Sequence, residues 1–339
     1  MMFSIIMPAF NAGRFLEKGI QSIRNQTHAD WELILINDGS KDDTDAIARR
    51  YAAEDDRIRY YAQENMGVSK TRNRGLELVT GAYVLFVDAD DEIDPRTLET
   101  VYQTVSADPC DIVVFNAYRS DVESKVTGKV TQPFSDQVLK LATEQDKKKY
   151  IYSALASDKI FGIMGIFAVK REVVSNIRFR TDMIMYEDLL FDMQMYEKAV
   201  SVICLPEYFY YYRNNPAGCV NQFNYQKIDD LRLAYEAKRA MIQKYDLPDV
   251  HQCALMFYCA CILSFYHSVL ENRALRKEYE NRVLQDAYIC ERFDELKTIP
   301  LPERFPSVKV LFGSKVECAY YRTNMLFRKK ARKLKQLFQ

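Results

Sequence analysis

The chain reads as an α/β protein, a mostly parallel sheet flanked by helices, followed by a helical C-terminal region. Three observations predict this. The first 120 residues alternate strand and helix patterns across short joints. Tyr83-Val84-Leu85-Phe86-Val87 is an uninterrupted apolar run, the pattern of a strand covered on both faces. Beyond Asn224 the apolar spacing turns helical and stays so to about residue 296.

Each element follows from its own pattern. Residues 3–7 form the first expected strand, and Asn11 offers an N-cap for a helix whose Phe15, Leu16, Gly19, Ile20 and Ile23 share one face. Residues 31–36 are the second strand. It ends in Asn37-Asp38-Gly39-Ser40, a turn with caps for a helix carrying Ile47, Ala48 and Tyr51. A shorter strand at 58–61 and a helix at 68–79, stopped by Gly81, precede the apolar run, which ends in Asp88-Ala89-Asp90-Asp91. Residues 95–105 read as a helix with Pro95 in its first turn, and 111–118 as another strand. Residues 120–150 are polar, and their charge run at 144–149 reads as the solvated face of a loop or peripheral hairpin. Strand-like pieces between 161 and 212 surround Glu187-Asp188, which opens a helix carrying Leu189, Leu190, Phe191 and Met195. The expected domains are 1–220 and 221–339.

With 339 residues, 48% of them apolar, the chain has material for a substantial core. Lys plus Arg and Asp plus Glu both number 47, so no global field points to nucleic acid. The eight cysteines form no CxxC pair and read as reduced thiols of a cytoplasmic protein. Residues 1–10 are apolar but lack a basic start, and Asn11, Gly13 and Arg14 cut them short, so no secretion signal is expected. Residues 250–270 hold no Asp, Glu, Lys or Arg, yet His251, Gln252, Ser264, His267 and Ser268 interrupt them. A buried or membrane-grazing helix is the favoured reading over a span. The tail at 322–339 has seven Lys or Arg and no acid, with Phe327, Ala331, Leu334 and Phe338 at helical spacing. Such a basic amphipathic helix suits peripheral contact with the inner face of the cell membrane, against the plainer readings of a solvated terminus, a helix docked on the domain or a partner-binding helix.

What chemistry does this chain carry? His28, His251 and His267 stand in no metal-ligand or triad context, and neither GxGxxG nor GxxxxGK[ST] occurs. Four clusters instead mark strand ends: Pro8-Ala9-Phe10-Asn11, Asn37 to Ser40, Asn65-Met66-Gly67 through Arg72-Asn73, and Asp88-Ala89-Asp90. In a parallel sheet these loops meet at one edge. Phe10 could stack on a base, Asp38 could accept from a uracil or ribose, and Arg72 could face phosphate. Asp88 and Asp90 have the spacing to hold Mn²⁺ or Mg²⁺ together with a diphosphate. Taken singly, each has a plainer reading: Asn11 and Asp38 as caps, Arg72 as a surface helix residue, the acids as a turn.

Together the motifs Ile-Met-Pro-Ala-Phe-Asn, Asn-Asp-Gly-Ser-Lys-Asp-Asp-Thr, Asn-Met-Gly-Val-Ser-Lys-Thr-Arg-Asn-Arg-Gly-Leu and Phe-Val-Asp-Ala-Asp-Asp closely resemble glycosyltransferase family 2. The resemblance covers the first 110 residues and, with Glu187-Asp188, reaches about residue 213. It implies a GT-A, Rossmann-like fold and inverting transfer from a nucleotide sugar. Carried over by position, Pro8, Phe10, Asn11 and Asp38 would line the nucleoside site with Arg72 nearby. Asp88 would lie by the ribose and metal, with Ala89 between it and Asp90, the principal metal ligand. The family more often has Tyr at the position of Phe10 and Ala at that of Thr71. Asp188 would be the base that takes the acceptor's proton, with Glu187 as second choice, and Arg213 is a candidate phosphate contact before the loop at 214–218.

The expected function is therefore transfer of a sugar from a nucleotide-sugar donor, a UDP-sugar by preference, to a hydroxyl of a growing glycan, either free or lipid-linked, in cell-surface polysaccharide synthesis. Two alternatives share parts of the pattern. A sugar nucleotidyltransferase also sets acids around a metal and a nucleotide, and a non-catalytic, membrane-docked scaffold could keep the same fold.

Overall fold

The structure is a computed structural model that describes residues 2–132, 138–157, 164–215, 224–269 and 272–298. The basic tail at 322–339 and the loop residues 216–218 lie outside them. By backbone contacts the chain divides into two compact units, one made of Met1–Leu155 and Lys159–Cys219, the other of Ala156–Asp158 and Val220–Gln339.

In the first unit the chain runs β1 (Phe3–Ala9), α1 (Leu16–Arg24), β2 (Trp31–Asp38), α2 (Thr44–Glu54), β3 (Ile58–Gln63), α3 (Val68–Leu78), β4 (Tyr83–Phe86), β5 (Glu92–Ile93) and α4 (Thr97–Ala107). It continues through β6 (Ile112–Ser120), β7 (Val126–Val130), β8 (Leu139–Leu141), α5 (Glu144–Lys147), a π-turn, α6 (Ser153–Ala156), β9 (Phe167–Lys170), α7 (Arg171–Val174), α8 (Glu187–Lys198) and β10 (Val202–Arg213). The sheet order is β3-β2-β1-β4-β9-β6-β10-β5, with β7 on β6 and β8 on β10. β3, β2, β1 and β4 form one parallel block and β6 with β10 another. β9 joins the blocks by running antiparallel to both β4 and β6. All eight residues of β2 and all four of β4 are buried, as a sheet covered on both faces requires.

β1 has β2 on one side and β4 on the other, so the crossovers leave it in opposite directions. A crevice opens at such a switch point beyond the strands' carboxyl ends, which is where Asp38 ends β2 and where Phe10 and Asp88 come just after β1 and β4. The apolar face predicted for α1 is buried: Leu16, Gly19, Ile20 and Ile23 point inward.

Several local expectations are corrected. Asn11 is not an N-cap, because α1 starts only at Leu16; Asn11 instead sits at φ 48° and its carbonyl Oδ1 accepts from the Lys41 amide at 2.9 Å. Pro95 lies outside α4, which begins at Thr97. Lys147, inside the charge run expected on a solvated face, is buried and donates to the Ala199 carbonyl at 3.0 Å while pairing with Glu144 at 2.9 Å. Burial of the ammonium is offset by its bonds to a carbonyl and a carboxylate.

Unexpected in the sequence is β5, a two-residue strand antiparallel to β10, which ties the acid-bearing turn to the far edge of the sheet. The second unit holds α9 (Gln226–Tyr245), α10 (Pro248–Ser268), α11 (Arg273–Arg282) and α12 (Ala287–Thr298). Residues 250–269 belong mostly to α10, with Leu255, Tyr258, Cys259, Ile262 and Leu263 buried, so the uncharged run is core material. No helix among the described residues is long and apolar enough to cross a membrane. Cys110, Cys204, Cys253 and Cys259 are free thiols.

Gly165 precedes β9 where the Tyr210 ring passes: a Cβ there would lie 1.7 Å from that ring. Gly165→Ala is therefore expected to lower stability by about 1–3 kcal/mol through overpacking. An unchanged midpoint in urea unfolding would contradict that tight contact.

Candidate active site

The crevice is built around one guanidinium. Arg72 leaves the second turn of α3 and is 5% exposed. Its Nη2 donates to Asp88 Oδ1 at 2.9 Å, and its Nη1 to Glu187 Oε1 at 3.0 Å. Phe179 lies against the guanidinium, 5.5 Å from ring centroid to Cζ. Burial alone would push the arginine's pKa down, but the charges of Asp88 and Glu187 outweigh it and hold it above the ordinary value. Two acidic motifs far apart in sequence thus share one cation.

Aromatic packing fixes the distance between them. Phe86 at the end of β4 meets Phe179 and Phe191 edge-on at 5.5 and 5.7 Å, and Phe179 stacks flat on Phe191 at 4.0 Å. Phe191 lies on α8, so the cluster clamps the start of that helix against β4. The Phe179 backbone is gripped from the other side. Asn73 of α3 donates its Nδ2 to the Phe179 carbonyl at 2.9 Å and accepts the Phe179 amide at 2.8 Å.

Glu187 and Asp188 open α8, as predicted, and Tyr186 before them takes a left-handed backbone with φ 66°. A bulky residue in that region is strained, and strain of this kind gathers where a side chain must be aimed. Glu187 is committed to Arg72. Asp188 is only partly covered, and its Oδ1 accepts from the Leu189 amide at 2.7 Å. Burial first, then the like charge of Glu187, push the Asp188 carboxyl up to about 7, against the opposing pull of Arg72. One turn further along, Asp192 is buried with no partner for its Oδ1, and burial drives its pKa well above the ordinary carboxylate range.

On the strand side, Asp88, Ala89 and Asp90 follow β4 at the crevice. Asp90 Oδ2 accepts from Asn215 Nδ2 at 3.0 Å, and its pKa is raised by burial and next by the charge of Asp88. Among the described residues no further His, Cys, Asp or Glu joins these two to make a set of three metal ligands. Asp91, the third acid of the run and given no role by the sequence reading, is a structural hub. Its carboxylate accepts the Tyr210 hydroxyl at 2.6 Å and the Arg213 amide at 2.7 Å, and burial pushes its pKa well up.

Arg213 is likewise corrected as a phosphate contact. Its side chain is 1% exposed, with donors spent on the Asp90 carbonyl at 2.6 Å, the Val122 carbonyl at 2.9 Å, Ser124 Oγ at 3.0 Å and Glu92.

Toward β1 and β2, Phe10 stands 52% exposed, with a ring face free to be covered. Pro8 is the penultimate residue of β1 and pairs with Ile36. Asp38 holds the loop before α3: Oδ1 accepts from the Met66 amide and Gln63 Nε2, and Oδ2 from the Gly67 amide, each at 2.8 Å. The Asn11 amide donates to Ser40 Oγ at 2.9 Å, so the loops after β1 and β2 are stitched together. Arg72, Asp88 and Glu187 are in direct contact, Asp90 and Asp188 flank them, and Phe10, Asn11 and Asp38 follow the neighbouring strands. Sequence reasoning named Asn73 within a strand-end cluster but gave it no role, and it missed the parts played by Tyr210 and Asp192. Of those two, only Asp192 left a trace, as an acid four residues beyond Asp188 on a helix otherwise rich in apolar residues.

The family model for glycosyl transferase family 2 matches residues 4–178. The chain is 32% identical over 256 residues to an uncharacterized glycosyltransferase, EpsJ, of Bacillus subtilis, covering 73% of this chain and 71% of that one. It is 32% identical over 211 residues to a cholesterol galactosyltransferase of Borreliella burgdorferi, covering 61% of this chain but 58% of that protein's length. Among solved structures, residues 1–349 of S. aureus TarS in complex with UDP-GlcNAc share the fold with a TM-score of 0.62 at 20% identity, over 87% of this chain and 84% of that one.

Removing the central cation would strand two acids. Arg72→Met is expected to cost about 3 kcal/mol of stability, mostly from Glu187, since Asp88 remains partly solvated. Urea unfolding that shows a loss under about 1 kcal/mol would contradict this reading of the crevice.

Proposed function

This chain belongs to glycosyltransferase family 2, and we propose that it transfers a sugar, with inversion, from a UDP-sugar to a hydroxyl of a lipid-linked glycan. The observation that carries the proposal is the Arg72 bridge. It joins the strand-end acids to the Glu187-Asp188 pair, 115 positions from Arg72, and so brings a diphosphate-handling group and a proton acceptor into one crevice.

The roles follow from what each side chain has left to give. Glu187 is neutralised by Arg72 and is a support, whereas Asp188 accepts from the Leu189 amide, makes no ion pair among the described residues, is partly open and is raised to about 7. A carboxylate of that basicity removes a hydroxyl proton more readily than an ordinary aspartate, while about half of it is still ionised at neutral pH. Inversion asks that the acceptor hydroxyl attack the face opposite the leaving diphosphate, with the base on the acceptor's side. Phe10 offers its exposed face to the base of the nucleotide, and Asp38 acts by holding the Met66-Gly67 amides in place beside it.

The donor set fits a hard divalent cation, Mn²⁺ or Mg²⁺. Asp88 and Asp90 are oxygen donors two positions apart; burial first and then the charge of Asp88 raise the Asp90 pKa, and a cation would relieve that repulsion. With only two protein carboxylates, the rest of the shell would fall to substrate phosphate oxygens and water. When bound, such an ion supplies Lewis-acid stabilisation to the departing diphosphate.

The relative named for galactosyl transfer to cholesterol supports an acceptor of lipid character, and the basic tail at 322–339 supports peripheral contact with an anionic membrane surface.

Three measurements test this reading. Asp188→Asn should lower turnover by on the order of 10²- to 10⁴-fold while UDP binding by calorimetry stays within a factor of about two; turnover near wild type would remove Asp188 from the role. Asp90→Ala should abolish the Mn²⁺-dependent part of UDP binding, and unchanged titration isotherms would contradict it.

The third is pH. Because Asp188 must be ionised to act, kcat/KM should rise about tenfold per unit below pH 7 and level off above it. Its folded pKa lies above that of the unfolded chain, so the fold holds a proton the unfolded chain releases, and stability should fall as pH rises from about 4 to 7. Asp188→Asn should flatten that fall, and an unaltered stability profile would refute the assignment.

A further inference from the structure

Asp88 and Asp90 lie two positions apart in the turn after β4, and each has one carboxylate oxygen already taken. Arg72 Nη2 donates to Asp88 Oδ1 at 2.9 Å, and Asn215 Nδ2 donates to Asp90 Oδ2 at 3.0 Å. Among the described residues no other residue donates to Asp88 Oδ2 or to Asp90 Oδ1. Each acid is therefore held by one donor and keeps one oxygen to give.

The two donors stand on separate supports. Arg72 comes from α3 and is fixed by Glu187 at 3.0 Å and by the face of Phe179. Asn215 comes from the end of β10, where the preceding residues are already secured. The Asn214 amide donates to the Ser120 carbonyl at 2.8 Å, Arg213 Nε to the Asp90 carbonyl at 2.6 Å, and the Arg213 amide to Asp91 Oδ1 at 2.7 Å. The chain is thus anchored beside Asp90 before the Asn215 side chain meets the carboxylate, and a donor on so firm a base fixes the orientation of the acid it holds.

Which cation suits two acids held in this way? A carboxylate chelates through both oxygens only where both face the ion. An N–H against one oxygen, carrying a full positive charge in the case of Arg72, opposes a cation at that oxygen. Two ligands of one oxygen each leave room for phosphate oxygens and water in a shell of about six, the arrangement that Mg²⁺ and Mn²⁺ favour. Ca²⁺ is larger, takes roughly six to eight oxygens and draws on carboxylates that give both. Holding back one oxygen of each acid therefore works against Ca²⁺ more than against the smaller ions.

We propose that Asn215 is a positioning residue for the cation: with Arg72 it confines Asp88 and Asp90 to one oxygen each, so that the site selects Mn²⁺ or Mg²⁺ against Ca²⁺. This role rests on Asp88 and Asp90 being the cation ligands of the transfer reaction, and it adds what chooses the ion. Asn215 acts through Asp90 Oδ2 and is itself no part of the ligand pair.

Electron paramagnetic resonance of unbound Mn²⁺, on the full chain saturated with UDP and with UDP alone as the blank, tests it when Ca²⁺ is titrated in as competitor. In the wild type Ca²⁺ should displace Mn²⁺ only at about a hundredfold excess or more. Asn215→Ala releases Asp90 Oδ2, so the Mn²⁺ dissociation constant should rise about tenfold or more while Ca²⁺ binding holds or tightens, and the excess needed should fall by at least the same factor. Asn215→Asp has the same shape without the N–H and should shift the ratio in the same direction. Asn215 lies beyond the last residue of β10, and both variants should keep the wild-type circular dichroism spectrum. Equal weakening of Mn²⁺ and Ca²⁺, or a ratio within about threefold of wild type in both variants, would overturn the proposal and leave the cation ligands standing. A wild type that binds no Mn²⁺ beyond the UDP blank would overturn the ligand assignment itself, and the role of Asn215 with it.

Discussion

Everything near the crevice depends on a single buried cation held between two acids. A guanidinium withdrawn from water carries a desolvation penalty of several kcal/mol, and only near-ideal pairing offsets it. Arg72 meets that requirement with Asp88, Glu187 and the face of Phe179. The pairing demands that β4 and α8 sit at a fixed spacing, and the stacked Phe86, Phe179 and Phe191 supply it. Polar and apolar constraints therefore enforce the same geometry. One without the other would leave either a misaligned ion pair or a packed core with an uncompensated charge.

A second hub lies one residue past the strand-end acids. Asp91, Tyr210 and Arg213 bind the turn after β4 to β10, and β5 extends the same attachment by backbone pairing. The Tyr210 hydroxyl also accepts from the Asp88 amide at 3.3 Å, so the buried network reaches the partly exposed acids through the main chain. Asp88-Ala89-Asp90 is thereby a surface turn with an interior scaffold. This rigidity suits a site that must present carboxylates without letting them swing apart, although their charges repel.

The regular parts of this architecture were legible in the sequence because their signals are local. The apolar run into β4, the inward face of α1 and the helices beyond Asn224 each follow from periodicity over a few turns. Asp88, Asp90 and the Glu187-Asp188 pair were legible as motif chemistry. What escaped depends on partners remote in sequence. Lys147 looks solvated until Ala199 is placed beside it, and Arg213 looks available until Glu92, Ser124 and the Val122 carbonyl surround it. Asn11 satisfied the composition rule for a cap, but the chain makes a left-handed turn first and delays α1 by several residues. Tyr210 was hidden among five consecutive aromatic residues, where alternation could not single out the one whose hydroxyl matters.

The left-handed backbone at Tyr186 carries a meaning for divergence. A bulky residue in that conformation costs about 1–3 kcal/mol, and the chain tolerates it directly before the pair that opens α8. Glycine, and to a lesser degree asparagine, would hold the same turn with less strain. Drift at this position therefore has a downhill direction that leaves the helix start in place, and lineages that shed the tyrosine would gain stability without losing the geometry. Where a bulky side chain persists instead, selection is acting on the side chain itself and not on the turn.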